Sequence, residues 1–236
     1  MCALSGPILD IAGNVARVRE RIAAAAARAG RRAEDIILVA ASKTVEAERI
    51  ALAAQAGIAD FGENYVQEAQ RKIERVGRGV RWHFVGHLQT NKAKQAVALF
   101  DIVQIVDSER LAAALDKRAR AAGRTLPVLV EVNTSGEATK FGAAPDEASR
   151  VAEAVASLDA LELKGLMTMG RLGATPDDAR PCFALLRELS QRIFAAAPGA
   201  PERWLSMGMS QDFEVAIEEG SNVVRVGTAI FGARPE

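Results

Sequence analysis

Apolar residues recur at helical spacing from the beginning of the chain. Ile8, Ile11, Val15, Val18 and Ile22 stand among arginines and alanines, which predicts an amphipathic helix over residues 8–28, stopped by Gly30. Beyond Gly30 the pattern alternates. Short apolar runs, often β-branched, are each followed by a longer stretch of helical period. The strand candidates are residues 36–41, 58–62, 81–86, 101–106, 127–132, 163–169, 203–208 and 222–227. The helical stretches between and after them cover 46–56, 65–76, 91–100, 109–122, 145–158, 176–197 and 211–218.

Eight strands separated by helices have the count and order of a closed α/β barrel, the (β/α)8 TIM type. An open doubly wound sheet is the rival. It usually has fewer strands and often a Gly-rich turn after the first, whereas the first strand here runs into SKTV. No Pro/Gly/Ser linker divides the sequence, so one domain is expected over residues 1–236. Because a helix comes first and the eighth strand almost last, the helix within residues 1–30 is expected to pack on the barrel where a terminal barrel helix would lie.

The 236 residues and 49% hydrophobic content supply a sizeable core. Lysine plus arginine equal aspartate plus glutamate, 30 against 30, without the basic excess of a nucleic-acid binder. Cys2 and Cys182 suggest no disulfide framework. No apolar run is long enough for a bilayer, and the N-terminus lacks the pattern of a signal peptide. The expectation is a cytoplasmic protein with a small-molecule ligand, without nucleic-acid or membrane partners.

In such a barrel the working residues come from the C-terminal ends of strands and the loops after them. One of these is conspicuous. The apolar or small run Leu38–Ser42 ends in Lys43, and no acid follows until Glu46. An amine among apolar walls loses basicity and becomes a candidate for a Schiff base with a carbonyl. A lysine reaching out to solvent is the competing reading.

Across the ring stand SMGMSQD and VGTAIFG, after the seventh and eighth strands. Loops at those positions form the recurrent phosphate cup of these barrels, because free backbone N–H groups favour an anion. Ser206, Ser210 and Thr228 add hydroxyls and Gly227 permits close approach; ordinary turn chemistry, with Ser210 as an N-cap, is the alternative. A phosphate cup facing an aldehyde-capturing amine suggests pyridoxal 5′-phosphate (PLP). Arg225 alternates with Val223 and Gly227 and should point into the mouth. There it could only donate to the pyridine nitrogen; a structural pair with Glu214 or Glu219 is the alternative.

The segments KTV, FGENYVQEA, WHFVGHLQTNK, GLMTMG and SMGMSQDFEVAIEEGSNVVRVGTAIFGAR carry a resemblance. From about residue 36 to 234 the chain resembles the pyridoxal phosphate homeostasis proteins, single-domain barrels related to the N-terminal domain of alanine racemase (fold-type III). The resemblance implies that Lys43 carries the cofactor as an internal aldimine and that Asn64 lies beside it. It further implies that Ser206, Ser210, Gly227 and Thr228 hold the phosphate, and that Arg225 faces the pyridine nitrogen. It implies a cofactor-binding protein of vitamin B6 and amino-acid homeostasis, not an enzyme with efficient turnover.

A low-activity amino-acid racemase is the alternative. Racemisation needs two bases on opposite faces of the α-carbon. The related racemases take the second from a tyrosine associated with an additional C-terminal domain; with Glu236 following directly after the eighth strand, no such domain is expected here. The single tyrosine, Tyr65, is expected to pack with its hydroxyl at the surface, and His83 and His87 to be satisfied near the rim rather than to bind a metal. A monomer is the simpler expectation.

Overall fold

The computed structural model describes residues 10–137, 139–170, 173, 175–195 and 203–233. Its centre is a ring of eight parallel strands in chain order: β1 (Ile37–Ala41), β2 (Asp60–Glu63), β3 (Arg81–Phe84), β4 (Ile102–Val106), β5 (Leu126–Glu131), β6 (Leu161–Met167), β7 (Trp204–Ser206) and β8 (Val223–Val226). The ring closes where β1 pairs with β8, Val39 opposite Arg225. The expected closed barrel is therefore the observed one.

Around the strands lie α1 (Ile11–Arg28), α2 (Ala47–Gln55), α3 (Val66–Val76), α4 (Ala93–Leu99), α5 (Glu109–Ala121), α6 (Ala148–Ala156), α7 (Pro176–Phe194), α8 (Phe213–Glu218) and the single turn α9 (Thr228–Phe231). Strands covered by helices on one face and filled by side chains on the other read as apolar runs. The β4 segment IVQIV is buried at every position. Gln104 is the one polar residue in it.

Helix starts follow local chemistry. Asp10 accepts the Gly13 N–H at 2.8 Å to begin α1, and Thr175 accepts the Asp178 N–H at 3.2 Å to begin α7, with Pro176 in its first turn. Gly30 leaves α1 with φ of 66°, a left-handed conformation that suits glycine. Ile8 lies outside the described residues, as do 196 and 197 at the expected end of α7.

Between α8 and α2 the ring of helices is filled by α1, which also packs on α9. Ile11, Val15, Val18 and Ile22 are buried. Arg21 forks onto Glu214 through Nε and NH2, both at 2.9 Å, and the Asn14 side-chain amide donates to Ile230 O at 2.8 Å. The turn α9, absent from the expected elements, is too short to leave a periodic signal.

Candidate functional site

The C-terminal end of β1 is fastened from below. Ser42 is buried and its hydroxyl donates to Glu63 Oε1 at 2.6 Å. Lys72, on α3, sends its ammonium to Ser42 O at 2.6 Å, Glu63 Oε1 at 2.8 Å and Glu68 Oε1 at 2.6 Å. Glu68 also accepts the Thr44 N–H at 2.6 Å. Thr44 has φ of 63°, a region β-branched residues seldom enter, and these bonds hold it there. Lys43 thus stands half-buried on a turn with little freedom to move. Burial pushes the Glu63 carboxyl above its ordinary range, against the opposing pull of Lys72 and the Ser42 hydroxyl.

At this end of the barrel lies a cavity of about 270 Å3. Lys43, Asn64, Ser210, Arg225, Gly227 and Thr228 all line it, so it gathers six of the seven residues expected from the sequence. A larger cavity of about 650 Å3 opens at the other end, below β1 and β2, and contains none of them.

Two glycines set the cavity walls. A Cβ on Gly86 would stand 2.3 Å from Asn64 O, so only glycine lets the loop after β3 pass so close to Asn64, which lines the cavity. A Cβ on Gly227 would stand 3.1 Å from Ala41 O, at the seam between β8 and β1. Ser210 Oγ accepts the backbone N–H groups of Gly227 at 3.2 Å and Ala229 at 3.4 Å. It therefore ties the loop after β7 to the turn after β8. It does not cap α8, whose N-cap position is Asp212. Asp212 lines the cavity and accepts the Met209 N–H at 2.6 Å; burial raises its carboxyl, with that hydrogen bond opposing.

Ser206 is placed differently from its expected companions. Its hydroxyl is fully buried inside the barrel, donating to Gln104 Oε1 at 2.6 Å and accepting from Arg225 NH1 at 2.6 Å. It is not among the residues lining the mouth cavity. A serine at the end of a strand looks the same in sequence whether it faces the mouth or the interior.

Arg225 is buried, and NH2 donates to Thr168 O at 2.8 Å. Burial lowers its pKa to about 10, although Glu131 and Asp212 both favour its charge. The alternative pairing with Glu214 or Glu219 is not found: Glu214 pairs with Arg21, and Glu219 with Arg180 and Arg187.

Two features escaped the sequence. Glu131, at the end of β5, is buried, and its carboxyl is pushed up to about 7 by burial and by Asp107, against the pull of Arg225. His83, expected near the rim, is instead fully buried, with Nε2 2.8 Å from Asp60 Oδ1 and Nδ1 2.7 Å from the Gln104 amide nitrogen. The signal available for both was a polar residue interrupting an apolar strand. His87 stacks on Phe141, ring centres 3.9 Å apart, and Tyr65 is 60% exposed rather than packed.

Comparison with known proteins gives a consistent pattern. Residues 13–235 match the family model described as the alanine racemase N-terminal domain. The chain is 42% identical to the pyridoxal phosphate homeostasis protein of Escherichia coli K12, over 95% of this chain and 97% of that one. It is 43% identical to the protein of that name from Pseudomonas aeruginosa, over 95% and 96%. The structure of PipY from Synechococcus elongatus PCC7942 with PLP bound superposes with a TM-score of 0.82 at 33% identity, covering 94% of this chain and all of that one.

Proposed function

The chain belongs to the alanine racemase N-terminal-domain family and, within it, to the pyridoxal phosphate homeostasis proteins, and from that premise we propose that it holds PLP in the mouth cavity. It does so as a binding protein rather than as an efficient enzyme. The observation that carries the reading is the gathering of Lys43, Arg225, Ser210, Gly227 and Thr228 around one cavity.

The donor set fits the cofactor. PLP supplies an aldehyde that an amine can capture, a ring that accepts electron density, and a phosphate dianion. Lys43 Nζ is the amine, on a turn whose position Lys72 and Glu68 fix. The hydroxyl of Thr228 supplies a donor for the phosphate, with Gly227 leaving room for close approach. Ser210 keeps the two phosphate-facing loops together. Ser206 supports Arg225 from inside the barrel.

The Arg225 guanidinium can only donate a hydrogen bond. With its pKa at about 10 it stays charged near neutral pH, so a ring nitrogen facing it accepts that bond and carries no proton of its own. A ring kept in that state draws electron density weakly, which disfavours carbanion chemistry.

The second base that racemisation needs is not evident. Lys43, Asp212 and Arg225 are the titratable residues lining the cavity among the described residues, and Asp212 is engaged with Met209 N–H. Tyr65 is outside the lining and exposed. The test is incubation of the PLP-loaded protein with single L-amino acids, followed by chiral and keto-acid analysis. The binding-protein reading expects no D-isomer or keto acid above free PLP. Turnover at enzyme-like rates would establish the racemase alternative.

A further inference from the structure

Five buried polar side chains cross the barrel in one line. Asp60 stands on β2, His83 on β3, Gln104 on β4, Ser206 on β7 and Arg225 on β8, and each is at most 5% exposed. Consecutive members lie 2.8, 2.7, 2.6 and 2.6 Å apart. Asp60 lines the cavity at the lower end and Arg225 the cavity at the mouth, so the line connects the two ends.

The line has a direction. Arg225 has only N–H groups and must donate to Ser206 Oγ. The Ser206 hydroxyl donates in turn to Gln104 Oε1. That leaves the Gln104 amide N–H to face His83 Nδ1, which must accept and so carries no proton. The imidazole proton then sits on Nε2 and is donated to the Asp60 carboxylate. Every bond runs from the cation to the anion, and no donor faces a donor.

The far end is well anchored. Burial pushes the Asp60 carboxyl up, but hydrogen bonds from His83 and Arg81 outweigh it and hold the group below its ordinary range. Trp204 lies nearly parallel to the imidazole, ring centres 6.3 Å apart and 14° between planes. Glu131 and Asp212 are the other charges that act on Arg225.

We propose that Asp60, His83, Gln104 and Ser206 are positioning residues: a one-way hydrogen-bond relay that orients the Arg225 guanidinium toward the ring nitrogen of bound PLP. The proposal rests on the PLP reading of the mouth cavity. Reversing the line is unfavourable. A proton on His83 Nδ1 would demand that Gln104 turn its oxygen to the ring and its N–H groups to Ser206. The Ser206 oxygen would then receive two donors, and its own proton would lose its acceptor in the line. Orientation of Arg225 is thereby tied to one tautomer of a histidine on the far side of the barrel.

Two measurements test this. Nitrogen NMR of the histidine rings in the cofactor-free chain near neutral pH should find His83 protonated on Nε2 and bare on Nδ1. In Gln104→Glu, which presents only acceptors, both nitrogens should carry protons. In the PLP-loaded protein, Ser206→Ala should shift the absorbance of the bound chromophore and weaken PLP binding about tenfold, the order expected for a hydrogen bond to a charged group. A proton on Nδ1 of native His83 would overturn the relay. So would a Ser206→Ala protein with the native band and affinity. A native chain that takes up no PLP would refute the cofactor reading, and the NMR result would still decide the direction of the line.

Discussion

Glu131 shows what burial does to one acid at the mouth. Its carboxyl is raised from 4.5 to about 7 because burial disfavours the charge, with Asp107 adding to the effect. A carboxyl raised on folding contributes stability that is fully present below its unfolded pKa and lost as pH rises through the folded one. The window therefore runs from about 4.5 to about 7. In the cofactor-free protein, Glu131→Gln should stabilise at pH 8 by on the order of 2–3 kcal/mol, and much less at pH 5. Urea unfolding at the two pH values measures this, and an equal gain at both would contradict it. Residues of this kind separate what sequence displays from what it hides. Lys43 was legible because a charge directly after an apolar strand is conspicuous. The facing of Ser206 was not, since one step of backbone rotation decides between mouth and interior.

At the scale of elements, α3 matters to the site through Lys72. The residue reads as part of a polar helix surface, yet its side chain is 8% exposed and its ammonium meets Glu63, which is fully buried. Removing one partner of a buried pair leaves the other charge uncompensated. Lys72→Met should therefore lower stability by about 3 kcal/mol. Lys94→Met on the exposed face of α4 should stay within about 0.5 kcal/mol. Adding Glu63→Gln to Lys72→Met should recover part of the loss, because no buried carboxylate then remains unpaired. Chemical denaturation of the three variants decides it, and equal effects at the two lysines would count against the buried pair. The strands were legible as elements because both their faces are covered, which leaves apolar runs. Their ends were less so. The expected span 203–208 shortens to Trp204–Ser206, and Met209 and Ser210 beyond it line the mouth.

The whole molecule is a closed ring whose seam, between β8 and β1, is covered by a helix from the start of the chain. The order of elements made the barrel readable and gave α1 its place. The fastening of α1 by Arg21 and Asn14 was not readable, because their partners lie 193 and 216 residues away in sequence. Ile22 is 4% exposed on the inner face of α1, and Ile22→Ala should lower global stability by about 3 kcal/mol with a single unfolding transition. An early, separate loss of helical signal would show that α1 is not part of the cooperative unit. The claim on which the functional account depends is covalent capture of PLP by Lys43, and it has a direct test. The protein is loaded with PLP, reduced with borohydride, digested, and the modified peptide identified by mass spectrometry. The label should fall on Lys43, and Lys43→Ala should remain folded while losing both the label and the chromophore absorbance. Labelling of a different lysine in the native chain, or none at all, would contradict the account.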